Sequence, residues 1–189
     1  MRKPYSQLIW GLVFIFFNIN IGPIDILPNF LGYIFIASGL EGLAQVNLIY
    51  KKGIIPSVVL AFASFILIFY PINTSSENIT PSNCWMLGIS AAFSVLNLVI
   101  FYSICKGIHD ESEKLANNDL MLSAKTRWNC MLYFTCFSLI LTPFTLNKGQ
   151  FIVGLNFVIS LILLFLAFLI VLLLWKARDE FNKDISLEE

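Results

Sequence analysis

Glu41 is the one ionisable side chain set well inside an apolar run of this chain. A carboxylate in hydrocarbon is costly, and it marks a pathway or a paired site. Ser38, Glu41 and Gln45 follow helical spacing, so the carboxylate belongs to a polar stripe. If its helix opens near Pro28, a rise of about 1.5 Å per residue puts Glu41 roughly 20 Å from the outer end, within a hydrocarbon core about 30 Å thick. The other reading sets Glu41 at the inner interface, solvated or facing Lys51 or Lys52. Later runs carry Ser90, Ser94 and Asn97 on one face, then Thr135, Ser138 and Thr142, then Asn156 and Ser160. These suffice for a small polar cavity, or they join helices by hydrogen bonds. Glu41, Ser38, Gln45 and Asn97 are therefore the candidate intramembrane polar site.

Catalysis has little to work with. Hydrolysis or group transfer needs a nucleophile, a base and a group that stabilises charge. The single histidine, His109, stands beside Asp110 and Glu111 in a polar segment, where a solvated role is expected. No HExxH, GxSxG or Walker-type run occurs. Of Cys84, Cys105, Cys130 and Cys136, the spacing of Cys105 and Cys130 matches no metal site and Cys84 has no evident disulfide partner, so all four read as small apolar residues in packed helices. No enzyme activity, cofactor or metal is expected.

The stretch NINIGPIDILPNFLGY is the second polar concentration. Gly22, Pro23 and Asp25 suit a tight outer hairpin, and Pro28 suits the first turn of a helix, where its missing N–H costs little. Asn18 and Asn20 end a short apolar run and would be costly facing lipid. They are expected to face the bundle or to bond to the start of the next helix, near Asn29.

The surrounding elements are apolar blocks. The chain has 189 residues, 58% hydrophobic and 13% charged, with 18 phenylalanines and a mean hydropathy of +0.80. A soluble domain is about half apolar and a quarter charged. The formal net charge of zero gives no reason to expect nucleic acid. Six blocks suit helical spans: about 5–21, 28–50, 54–72, 82–105, 128–146 and 151–175. The basic start and first run resemble a signal peptide without a small-residue cleavage site, so an uncleaved first span is expected. With six spans and the N-terminus inside, 11 of the 12 basic residues fall on the cytoplasmic side, and only Lys148 lies outside. The expectation is one all-α membrane domain over 1–189, a six-helix bundle in the cell membrane with both termini cytoplasmic.

Between the fourth and fifth blocks lies KGIHDESEKLANNDLMLSAKTRW. Ile108, Leu115 and Leu122 recur every seven residues, with a turn signal at Asn117-Asn118-Asp119. Residues 106–127 are thus expected as one or two amphipathic helices on the inner membrane surface, or as a docking site for a cytosolic partner. Gly32, Gly39 and Gly42 form a small-residue stripe of the type that lets helices approach closely.

Two stretches carry a resemblance. ILPNFLGYIFIASGLEGLA and the Lys106–Trp128 segment together resemble a family of small multi-pass membrane proteins of low-GC Gram-positive bacteria. Asn29 stands where that family's ILPDFIGY-like pattern has Asp. The resemblance implies the multi-pass class and a bacterial cytoplasmic membrane, and it implies no activity. Two functions fit the whole sequence. One is a small-solute transport component with a polar site around Glu41. The other is a non-catalytic interaction protein (a sensor, immunity factor or assembly subunit) acting on a protein partner through residues 106–127.

Overall fold

The computed structural model describes residues 2–16, 20–21, 24–25, 29–69, 84–147 and 150–185. Six α-helices account for nearly all of them: α1 Arg2–Phe16, α2 Asn29–Ala44, α3 Lys51–Phe69, α4 Cys84–Lys114, α5 Asn118–Leu141 and α6 Gln150–Ile185. Short 3-10 helices, Leu48–Tyr50 and Thr142–Asn147, lead into α3 and follow α5. Among the described residues the strands are a two-residue antiparallel ladder, β1 Asn20–Ile21 with β2 Ile24–Asp25, pairing Asn20 with Asp25. The fold is all-helical. Among the described residues, three segments are long and apolar enough to cross a membrane: Leu48–Leu67, Leu87–Lys114 and Gly154–Phe181. Asn29–Ala44 is apolar but shorter.

Each helix packs on its neighbour in the chain, and α6 returns to α1, which closes a ring. The α1–α2 contact rests on the glycine stripe. A Cβ on Gly32 would stand 2.8 Å from the Gly11 carbonyl oxygen, and one on Gly39 2.8 Å from that of Pro4. Only glycine permits backbones this close. Gly11 against Gly32 and Pro4 against Gly39 and Gly42 also fix the pair as antiparallel. On the far side of the ring, Ser138 Oγ donates to Asn156 Oδ1 at 3.3 Å, and Arg127 Nη1 donates to the Leu169 carbonyl. These bonds align α5 and α6 antiparallel in turn.

Two boundaries differ from expectation. The second block does not run unbroken to Tyr50: α2 stops at Ala44, and the chain turns through residues 45–47. Val46 and Asn47 both donate to the Leu43 carbonyl, and the Asn47 side chain accepts from Ile49 N–H at 3.0 Å, starting the next helix. Lys51 and Lys52 accordingly sit in the first turn of α3. Residues 106–127 do not form separate helices lying on a surface. α4 continues unbroken to Lys114, and α5 starts at Asn118. The cause is a stripe that persists beneath the charges: Ile100, Ile104, Ile108 and Ser112 are buried, as are Leu120 and Ala124 on α5. The seven-residue repeat does not define one face, because the turn interrupts it. Ile108 is buried, whereas Leu115 and Leu122 are exposed.

Burial is uneven along the bundle. The large side chains with almost no exposure lie toward the end that holds the start of α1, the start of α3 and the end of α4: Tyr5, Leu8, Leu40, Tyr50, Ile104 and Ile108 among them. Toward the other end, none of residues 87–99 of α4 is buried, nor any described residue of α3 beyond Ala61 or of α5 beyond Thr135. Among the described residues, the ring is tight at one end and splayed at the other.

Candidate functional site

A cavity of ≈ 210 Å³ opens where tight packing gives way to the splayed half. Helices α1, α2, α4, α5 and α6 line it, and its walls are apolar apart from Ser94, Asn97 and Thr135. Asn97 is held from two sides. Its Oδ1 accepts from Tyr33 Oη at 3.1 Å, and its Nδ2 donates to the Phe93 carbonyl one turn back, also at 3.1 Å. A side-chain amide has two donors and an acceptor oxygen with two lone pairs. One N–H and one lone pair therefore stay free for a guest. Ser94 Oγ donates to the Ser90 carbonyl at 3.0 Å and keeps its own oxygen as an acceptor. Thr135 is buried against the same space. None of the lining side chains is ionisable.

The predicted site residues separate. Glu41 lies in the last turn of α2 and is exposed. With Ser38, Ile54 and Val58 it lines a groove of ≈ 290 Å³ between α2 and α3, on the outside of the ring. Ser38 Oγ accepts from Gln7 Nε2 at 3.1 Å, and Gln45 is exposed in the turn after α2. Asn97 instead lines the central cavity, joined to the opposite, buried face of α2 through Tyr33. The polar stripe around Glu41 and the cavity are thus two separate places. In the short ladder before α2, Asn20 pairs in register with Asp25, and Asn29 opens α2 with its Oδ1 buried and unpartnered among the described residues. Asn18 and Pro28 lie outside the described residues, so the expectation that Asn18 faces the bundle and Pro28 begins a helix falls there too.

Sequence spacing missed the most enclosed polar cluster. At the tight end, Tyr5 of α1 donates to Glu111 Oε2 of α4 at 2.6 Å, and the Tyr50 hydroxyl stands 3.2 Å from that of Tyr5. Tyr5 and Tyr50 are fully buried, and Glu111 is 6% exposed. Its second oxygen, Oε1, is buried with no hydrogen-bond partner among the described residues. Tyr50 reaches this point because Gly107 has no side chain, since a Cβ there would stand 2.2 Å from the Tyr50 ring. The Phe181 ring of α6 packs on Tyr5 with centroids 5.8 Å apart. One signal was available: Glu111 follows Ile104 and Ile108 at helical spacing and so lies on the buried stripe.

The neighbouring charges belong to the surface. Lys106 Nζ pairs with Asp110 Oδ1 at 2.7 Å, and His109 Nδ1 lies 3.2 Å from the same oxygen. His109, Asp110 and Glu113 bring three potential metal-ligand atoms within 4.8 Å of one another, but the Lys106 ammonium already occupies Asp110. Cys105 is buried in the core as a free thiol. No protein family, curated protein or solved structure matches the chain.

Proposed function

We propose that the protein is a six-span membrane protein with both ends cytoplasmic, and that it binds a small uncharged solute in the central cavity as a component of solute transport. The observation that carries this reading is the Asn97 amide, with spare hydrogen-bonding capacity in an apolar space with no ionisable lining. Ligand sites are typically apolar with a few well-placed polar groups that orient the guest. At ≈ 210 Å³ the space is below the range typical of drug-sized ligands, which favours a small molecule. Absence of a charged partner disfavours ions and zwitterions, whose desolvation would be uncompensated. Glu41 takes no part in this site, because it is exposed on the groove between α2 and α3.

The topology is supported by charge. Lys3, Lys51, Lys52, Lys106, Lys114, Lys125, Lys176 and Arg178 all fall on helix ends that meet at the tight end of the ring. A cytoplasmic tight end satisfies the positive-inside rule. The test is mass spectrometry of small molecules released from gently extracted protein. The expected result is a non-lipid, uncharged compound that co-purifies with the wild type and is lost in Asn97→Leu. Identical small-molecule content in both proteins would end the proposal.

A second reading has its own observation. Leu115 and Leu122 are 46% and 62% exposed on either side of the α4–α5 turn, among charges, as a docking surface for a cytosolic protein would require. A partner whose retention depends on both leucines supports it, whereas capture unchanged in the Leu115→Ser, Leu122→Ser double variant removes it.

A further inference from the structure

We infer that Glu111, clasped by Tyr5 and Tyr50, is a proton-binding site whose occupancy holds the tight end of the bundle closed. The inference is independent of what the cavity holds. A carboxylate removed from water needs cations or several donors to offset its lost hydration. Glu111 accepts from Tyr5 at 2.6 Å, and the Tyr50 hydroxyl, 3.2 Å from that of Tyr5, also acts on the carboxylate; both are neutral donors, and no cation among the described residues pairs with it. The ion pairs among the described residues are Lys106–Asp110 and Arg178–Asp179, His109 lies beside Asp110, and none of these contacts includes Glu111. Oε1 is sealed and unpartnered. A proton on Oε1 removes the charge and leaves Oε2 as the acceptor for Tyr5, so every observed bond survives.

The groups that act on Glu111 are Tyr5 from α1, Tyr50 from the 3-10 helix before α3, and Asp110 and Lys114 on α4 itself. The adjoining contact from α6 is the uncharged Phe181 ring on Tyr5. When the proton leaves Oε1 for water, no other covalent bond changes, and a full negative charge remains in the seal. Water then has to enter between α1, α3 and α4 to solvate it. Tyr5, Tyr50 and Glu111 tie together α1, the 3-10 helix that leads into α3, and α4, so hydration and closure compete.

Cys105 provides a native reporter, because it is buried in the same end of the core. In the full chain in nanodiscs, with Cys84, Cys130 and Cys136 replaced by serine, two measurements test the inference. Infrared spectra should contain a protonated carboxylic acid band at neutral pH that is absent from Glu111→Gln and disappears as pH rises. Thiol labelling of Cys105 should climb over the same range, about tenfold per pH unit below the midpoint, because only the ionised form opens. The Glu111→Gln chain corrects for the thiol's own pH dependence and should show no such excess. Tyr5→Phe keeps the ring on Phe181 and removes the donor that favours the ionised form, so it should move both midpoints to higher pH. It also preserves the test if Glu111→Gln does not fold. An ionised Glu111 at neutral pH, labelling that follows one curve in both chains, or midpoints unmoved in Tyr5→Phe would each overturn the inference.

Discussion

Gly107 makes room for the Tyr50 ring, and the consequence is measurable. A methyl group at 2.2 Å from a fully buried aromatic ring cannot be absorbed by a rotamer change, because Tyr50 is enclosed on all sides. Gly107→Ala should therefore cost about 3 kcal/mol, at the upper end for overpacking a core. The internal control is Gly154 in α6, where an added Cβ meets nothing within 4 Å. Gly154→Ala should be neutral or stabilising by up to about 1 kcal/mol, since alanine is the better helix former. Thermal unfolding of the two variants in one detergent checks both, and equal losses would contradict the packing described. Residue type alone did not make Glu111 legible. In a run of His, Asp, Glu, Ser, Glu and Lys it reads as solvated, and only its phase relative to Ile104 and Ile108 gives it away.

At the scale of elements, the α4–α5 hairpin decides how residues 106–127 are read. The hairpin closes on a Schellman arrangement: Asn117 N–H donates to the Ser112 carbonyl at 2.9 Å, and Ala116 N–H to that of Glu113 at 3.2 Å. Ala116 occupies the left-handed position with φ 54°, where glycine is the usual residue. Asn117 then caps α5 by accepting from Leu120 N–H at 3.1 Å. Ala116→Gly should relieve the Cβ penalty and stabilise the hairpin by about 1 kcal/mol, seen as a higher unfolding temperature. A lower temperature would mean that the turn is not formed this way. The sequence marked the turn within a few residues, through Asn117-Asn118-Asp119. It did not reveal that both helices extend from the bundle, because charge on one face hides the apolar stripe on the other. The glycine stripe of α2 was legible for the converse reason, since glycines at positions 32, 39 and 42 of an apolar helix have few uses besides close packing.

At the scale of the molecule, the described residues form a ring closed at one end and loosened at the other, with the cavity at the junction. The helical class was legible because apolar blocks separated by short polar links leave few alternatives, and α6 carries no charge from Phe151 to Trp175. The site was half legible. Asn97 and the serine face of α4 were singled out, but the partner assigned to them, Glu41, lies on the outside of α2. Periodicity shows that residues share a face without showing whether that face points inward. On α2 glycines take the inner contact with α1, and Tyr33 takes the one with Asn97, which leaves the Ser38–Glu41 edge outward. A solute entering from the splayed end would meet Asn97 before the Glu111 seal.

The direct measurement is the sidedness of access to the cavity. In a chain with its four native cysteines replaced by serine, Ser94→Cys puts a thiol on the cavity wall with little change in volume. Reconstituted in oriented vesicles, it should react with a small membrane-impermeant thiol reagent applied to the outer face, and resist the same reagent applied to the cytoplasmic face. Reaction only from the cytoplasmic face, or from neither, would contradict a cavity that opens outward above a closed inner end.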